Sequence, residues 1–202
     1  MADSIETQLA EKYQQLQTLE AEIKGLQARR ATIPVEDYAL TTSAGEPVHL
    51  SDLFGDKDDL ILIHNMGFGC AYCTMWADGF NGIYPYVQTR AAFALASPAA
   101  PEAQRKGAQW RGWTFPMVSA RGSTLFKDMG FETDEGAPMP GTSVFHRDAD
   151  GNITRRMSTP FGPGDRFCSV FSFLDLLPEE AGGRQVWYEP EILIPNAKRH
   201  PN

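Results

Sequence analysis

Cys70 and Cys73 are the residues of this chain whose types and spacing best fit chemistry, in Gly67-Phe68-Gly69-Cys70-Ala71-Tyr72-Cys73-Thr74-Met75-Trp76. An apolar run, Leu60 to Ile63, precedes them, and a helix-compatible segment from Thr74 to about Gln88 follows. Strand, glycine-punctuated loop, Cys-x-x-Cys and helix is the order in which such a dithiol does redox work. The attacking species in that work is the thiolate. A cysteine in the first turn of a helix faces backbone N–H groups with no helical partner and the positive end of the helix dipole. A thiol of pKa ~8.5 is about 3% ionised at pH 7, whereas one lowered to ~6.5 is about three-quarters ionised. Cys73 follows almost one turn later, on the same side of the helix. Cys70 is therefore expected to be the nucleophile, and Cys73 the residue that resolves a mixed disulfide on it.

Around the pair, Phe68 in the loop, Tyr72 between the cysteines and Trp76 one turn on are expected to meet a substrate, with core packing the competing reading for Trp76. Asp78 reads as a solvated helix carboxylate or, less simply, as a proton acceptor for Cys73. A metal site would need two more ligands. His64, His146 and Cys168 are the candidates, but none is fixed near the pair by sequence, and no metal is assigned. His64 reads more simply as a strand-end residue hydrogen-bonded to backbone, and Cys168, between Phe167 and Phe171, as a small buried apolar residue. Trp110, Trp113 and Phe115 read as core or rim packing, and Arg155 and Arg156 as an exposed strand face.

The elements that must hold this site follow from periodicity. Residues 3 to 30 read as one helix, with Ile5, Leu9, Leu16, Leu19, Ile23 and Leu26 at four-three spacing and Lys12 interrupting. That stripe packs either on its own domain or against a second subunit. Tyr38 to Leu50 reads as a small hairpin around Ser43-Ala44-Gly45-Glu46, and Ser51 to Gly55 as a capped turn. Leu60 to Ile63 and Ala91 to Ala96 read as buried strands on either side of the Cys-x-x-Cys helix, closing a β-α-β unit. A helix from Pro101 to Trp110, a strand from Phe115 to Ser119 and a short helix from Ser123 to Met129 come next. Thr142–Arg147 and Asn152–Ser158 flank Asp148-Ala149-Asp150-Gly151 as a hairpin whose second strand looks like an edge. Residues 163 to 177 begin with a glycine-proline turn and continue as a last apolar helix. The expected division is an N-terminal amphipathic helix over 1–33, an α/β domain over 34–178 and an extended tail over 179–202.

Composition narrows the partners. The 202 residues carry a formal charge of −8, which argues against nucleic acid or an acidic membrane surface, because phosphate binding needs a basic face. Met-Ala-Asp-Ser-Ile-Glu-Thr-Gln has neither the basic nor the apolar region of a secretory signal, and no apolar stretch approaches ~20 residues. Three cysteines are too few and too unevenly placed for a disulfide framework. A cytoplasmic location is expected.

The element order implies a mixed sheet flanked by helices, and the β-α-β unit with its dithiol followed by a hairpin and a helix resembles the thioredoxin fold. The early hairpin resembles the N-terminal addition of peroxiredoxin-like members. Gly69-Cys70-Ala71-Tyr72-Cys73-Thr74-Met75-Trp76-Ala77-Asp78-Gly79-Phe80 is similar to the signature of a bacterial thioredoxin-like family of unknown function. Gly112-Trp113-Thr114-Phe115-Pro116-Met117-Val118-Ser119 and Ser143-Val144-Phe145-His146-Arg147-Asp148 are similar to two further markers, in order, over about residues 30 to 177. Peroxiredoxins carry a Thr-x-x-Cys motif where this chain has Gly67, and an Arg near the start of the strand expected at Thr142, where none stands. The resemblance to thioredoxins implies that Pro140, near the position of their cis-proline, borders the substrate site.

The resulting expectation is a thiol–disulfide oxidoreductase acting through Cys70 and Cys73, without a cofactor, on a protein or small-molecule thiol or disulfide. It is expected to form a homodimer through the N-terminal helix. The alternatives are a non-catalytic dimeric scaffold on the same fold and a metal-binding module built on the cysteine pair.

Overall fold

The structure, a computed structural model, describes residues 4–178. The tail expected over 179–202 lies outside the described residues. In chain order the elements are α1 (Ile5–Ala28), β1 (Ile33–Val35), β2 (Ala39–Thr42), β3 (Pro47–His49), a 3₁₀ turn (Leu50–Phe54), β4 (Asp59–His64), α2 (Ala71–Val87), β5 (Ala92–Ser97), α3 (Pro101–Arg111), β6 (Met117–Ser119), α4 (Leu125–Asp128), β7 (Gly141–Arg147), β8 (Ile153–Pro160) and α5 (Ser169–Leu174). The strands form one sheet in the order β1-β8-β7-β4-β5-β6-β2-β3. β4, β5 and β6 run parallel and every other pairing is antiparallel, so the sheet is mixed, as expected from the sequence.

Strand alternation builds two cores, one on each face. Leu60 and Leu62 of β4, Ala94 and Ala96 of β5, Val118 and Phe145 pack beneath Phe54 of the 3₁₀ turn and Leu125 and Phe126 of α4. Ile63, Phe93, Leu95 and Met117 face the other way, under Met75, Trp76, Ala77 and Phe80 of α2 and Phe171 of α5. Alanine is a poor strand former, yet β5 holds because it is bonded to parallel neighbours on both sides, and its alanines make room for phenylalanines of the overlying layer.

The sheet edge differs from the sequence expectation. β8 is not an edge strand: β1 pairs with it antiparallel, Ile33 opposite Arg155 and Val35 opposite Ile153. Three residues with a central proline carry too little alternation to register as a strand, and only the partner makes them one. Arg155 is not an exposed face either. It is half-buried and donates through Nη1 to the Met129 carbonyl at 2.7 Å. The last helix is shorter than the apolar pattern that runs on to Leu177, covering six residues.

Helix α1 begins where Ser4 accepts the Thr7 N–H at 3.2 Å. No residue of the helix is buried. Arg166 Nη2, 3.3 Å from Glu20 Oε1, ties it to the body. Ile23 and Gln27 overlook a cavity of about 930 Å³ floored by Ile61, Val144 and Met157. Among the described residues no helix is long and apolar enough to cross a membrane.

Candidate active site

β4 ends at His64, and the six residues that follow turn the chain onto the start of α2. Asn65 organises that turn from inside. Its Oδ1 accepts the Gly67 N–H at 2.7 Å and its Nδ2 donates to the Cys73 carbonyl at 3.3 Å. Gly67 has φ +98°, where a β-branched residue would be strained. The Cys70 N–H then donates to the Gly67 carbonyl at 3.1 Å.

Cys70 is the N-cap of α2, with its sulfur in the role a serine or aspartate oxygen usually plays. The Cys73 N–H donates to Cys70 Sγ at 3.1 Å. The Thr74 N–H and hydroxyl both go to the Cys70 carbonyl, at 3.1 and 3.2 Å. Cys70 is half-buried, whereas Cys73, one turn on, is 1% exposed. Both thiols are free.

The two sulfurs are pushed in opposite directions. Hydrogen bonding from the Cys73 thiol, together with the Cys73 and Tyr72 N–H groups, lowers the Cys70 pKa to about 7 against the opposing effect of burial. The Cys73 thiol is raised far above its ordinary value, first because its proton is committed to Cys70, then by burial and the adjacent negative charge. The Met66 N–H works against that rise by donating to the Cys73 sulfur. The Cys70 thiolate is thus held by peptide and thiol donors at a helix start.

The other residues singled out in the sequence divide between the mouth of the site and the core. Phe68 stacks on Trp113 at 5.2 Å between ring centroids, over Gly107 of α3. Tyr72 is half-buried, with its ring 6.0 Å from Trp76. Trp76 itself is a core residue, 3% exposed, packed on Phe161 and donating its indole N–H to Asp165 at 3.3 Å. Its i+3 position after Cys73 turns it away from the mouth and into the α2–α5 layer. Pro140 immediately precedes β7, in which Gly141 is paired with His64, and its carbonyl accepts the Phe161 N–H at 3.0 Å. No peptide bond among the described residues is cis.

Asp78 is neither free in solvent nor directed at Cys73. Arg111 and the Trp113 indole hold it, the indole nitrogen at 2.8 Å. His64 is fully buried and bonds the Ser143 hydroxyl at 2.9 Å, a side chain instead of the expected backbone partner. Cys168 is a buried member of the α2-side core. Trp113 and Phe115 are also core, while Trp110 is 37% exposed beneath the Arg111 guanidinium. Among the described residues no group of three or more His, Cys, Asp or Glu side chains is gathered as a metal site.

Asn65 and Gly107 are the residues of the site that do not stand out in the sequence. Asn65 carried a signal, an Asn two residues before a glycine at the end of an apolar run, which is the composition of an Asx turn. Gly107 sits mid-helix with no local signal; its need arises only from the Phe68 ring pressed on it.

A family model described as a bacterial protein of unknown function (DUF899) matches residues 6–193. The chain belongs to that family. The match takes in α1, which the markers in the sequence do not reach. Among curated proteins none matches the sequence. Solved structures similar to this one include peroxidoxin BcpB from Mycobacterium tuberculosis, at 24% identity over 61% of this chain and 82% of that one, TM-score 0.51. A cysteine-to-serine variant of peroxiredoxin Q from Xanthomonas campestris is similar at 16% identity over 68% and 89%, TM-score 0.53. A peroxiredoxin-like protein from Aquifex aeolicus is similar at 12% identity over 65% and 75%, TM-score 0.50. The chain therefore has a thioredoxin-like fold of the kind seen in peroxiredoxins, and at these identities the likeness speaks to fold alone.

Proposed function

We propose that the protein is a thiol–disulfide oxidoreductase in which Cys70 attacks and Cys73 resolves. The observation that carries this reading is the placement of the two sulfurs: Cys70 is half-exposed at the N-cap of α2 with its Sγ accepting the Cys73 N–H at 3.1 Å, and Cys73 is buried one turn on, an arrangement that lowers the first thiol to about 7 and raises the second. The Cys70 thiolate attacks a substrate disulfide, forming a mixed disulfide and expelling one substrate thiolate, which takes up a proton from solvent. Cys73 then loses its proton and attacks Cys70 Sγ, expelling the second substrate thiolate. Two electrons pass to the substrate, and the Cys70–Cys73 disulfide remains.

The order of events follows from what raises the Cys73 pKa. Its hydrogen bond to the Cys70 thiolate and the charge of that thiolate are both lost once Cys70 is in a mixed disulfide. Only burial then opposes ionisation, and the Met66 N–H favours it. Cys73 is thus restrained until there is something to resolve.

A peroxiredoxin-type mechanism has less support. The position of the Thr in Thr-x-x-Cys is Gly67, whose φ of +98° disfavours a threonine, and Pro140-Gly141-Thr142 opens β7 without an arginine. Equilibration of the protein against defined thiol–disulfide buffers, with free thiols counted at each potential, tests the reading. A two-electron couple between roughly −220 and −320 mV is expected for an exchanger in a cytosolic glutathione pool. Two thiols that remain reduced at every potential would remove the proposal and favour a scaffold.

A further inference from the structure

Helix α1 presents Ile5, Leu9, Leu16, Leu19, Ile23 and Leu26 at alternating four- and three-residue steps, with Lys12 in the seam position between Leu9 and Leu16. All six apolar side chains are exposed, from 38% at Ile23 to 67% at Ile5. A single surface helix draws most of its stability from burying such a stripe. A seam of period 3.5 is the surface that another helix of the same period covers by knobs-into-holes packing.

Charge decides the occupant and its direction. In a parallel pair of α1 helices, Lys12 would meet Lys12 of the second copy. In an antiparallel pair with Leu16 opposite Leu19, Leu9 faces Leu26 and Lys12 faces Ile23, the least exposed residue of the stripe, which also overlooks the cavity of its own sheet and beside which Glu22 borders the seam. The Lys12 ammonium lies 3.1 Å from Gln15 Oε1 in this chain, and that register would bring it beside the Glu22 carboxylate of the second copy. Glu20 is already engaged by Arg166, leaving Glu22 as the seam-edge partner. We propose that α1 of a second copy of this chain docks antiparallel on this stripe, Leu16 opposite Leu19 and Lys12 against Glu22.

Light scattering of the full-length protein across a concentration series tests this. The wild type is expected to be a dimer, and Leu16→Glu/Leu19→Glu a monomer with the same thermal unfolding of the sheet domain, since neither leucine is buried. Lys12→Glu is expected to weaken the dimer by about tenfold or more through like charges in the seam. Lys12→Glu/Glu22→Lys is expected to recover it, because the pair is re-formed with signs exchanged. A wild type that stays monomeric, or a dimer that survives the leucine substitutions, overturns the proposal. A charge exchange no better than Lys12→Glu alone overturns the antiparallel register.

Discussion

The backbone N–H of Cys73 points at the sulfur of Cys70, 3.1 Å away, so the peptide group of the buried cysteine steadies the thiolate of the exposed one. The same residue adds its thiol as a second donor. Cys73 therefore sets the acidity of Cys70 before any disulfide chemistry begins.

Alkylation of Cys70 by limiting iodoacetamide is expected to be half-maximal near pH 7, and to exceed labelling of Cys73 throughout. The sign follows from a lowered thiol pKa: below pH 7 the sulfur is protonated and slow, above it ionised and fast. Cys73→Ala keeps the N–H but removes the thiol donor, the largest cause of the shift, so its midpoint moves upward. A wild-type midpoint at the ordinary ~8.5 would remove the electrostatic basis for the assignment.

The division of labour between the sulfurs makes a second expectation. Cys73→Ser, incubated with glutathione disulfide, accumulates a stable glutathione adduct on Cys70, because no thiol remains at the helix start to displace it. Cys70→Ser forms no such adduct at neutral pH, since the Cys73 thiol is buried. Intact-mass spectrometry reads both. Full exchange activity in Cys70→Ser would contradict the mechanism.

How much of this site was legible depends on how local each cause is. The dithiol, its helix and the flanking strands announce themselves because glycine loops, apolar runs and Cys-x-x-Cys are signals of a few adjacent residues. The role of Asp78 was not legible, because its fate is decided by Arg111 and Trp113, more than thirty residues away, on and just beyond a helix that the fold brings alongside. β1 was invisible for the same reason, its three residues being a strand only by virtue of β8. Trp76 could be read as either wall or core from its spacing alone. Phe161, Asp165 and Phe171, from the far end of the chain, make it core.

Gly107 couples α3 to the loop before Cys70. An added Cβ would fall inside the Phe68 ring. Gly107→Ala is therefore expected to displace Phe68 from its stack on Trp113, costing about 1–3 kcal/mol as overpacking does. Cys70, two residues on, is expected to alkylate faster as the loop loosens. Chemical denaturation and the alkylation rate measured on one preparation check both effects. An alanine variant as stable as wild type, with an unchanged Cys70 rate, would mean that the Phe68 stack holds nothing in place.

The last expectation concerns His64, at the end of the strand that leads to the site. Its ring stacks on Phe131 at 4.1 Å, its Nε2 bonds Ser143, and its buried Nδ1 has no partner among the described residues. Burial, with Arg155 nearby, lowers its pKa from 6.5 to about 3. In the unfolded chain the imidazole binds a proton near pH 6.5, while the folded one resists until about pH 3. The stability this lends is fully present above pH 6.5 and is lost as pH falls through that window. Between pH 7 and pH 5 the loss amounts to about 2 kcal/mol. His64→Phe keeps the aromatic stack and removes the titration, leaving Ser143 without its partner. The variant is expected to be less stable than wild type at pH 7, yet to lose less stability than wild type between pH 7 and pH 5. Urea denaturation at the two pH values measures that difference of differences. Equal acid sensitivity in the two proteins would mean that the imidazole is charged in the folded state, and that its burial among Phe126 and Phe131 does not govern its proton.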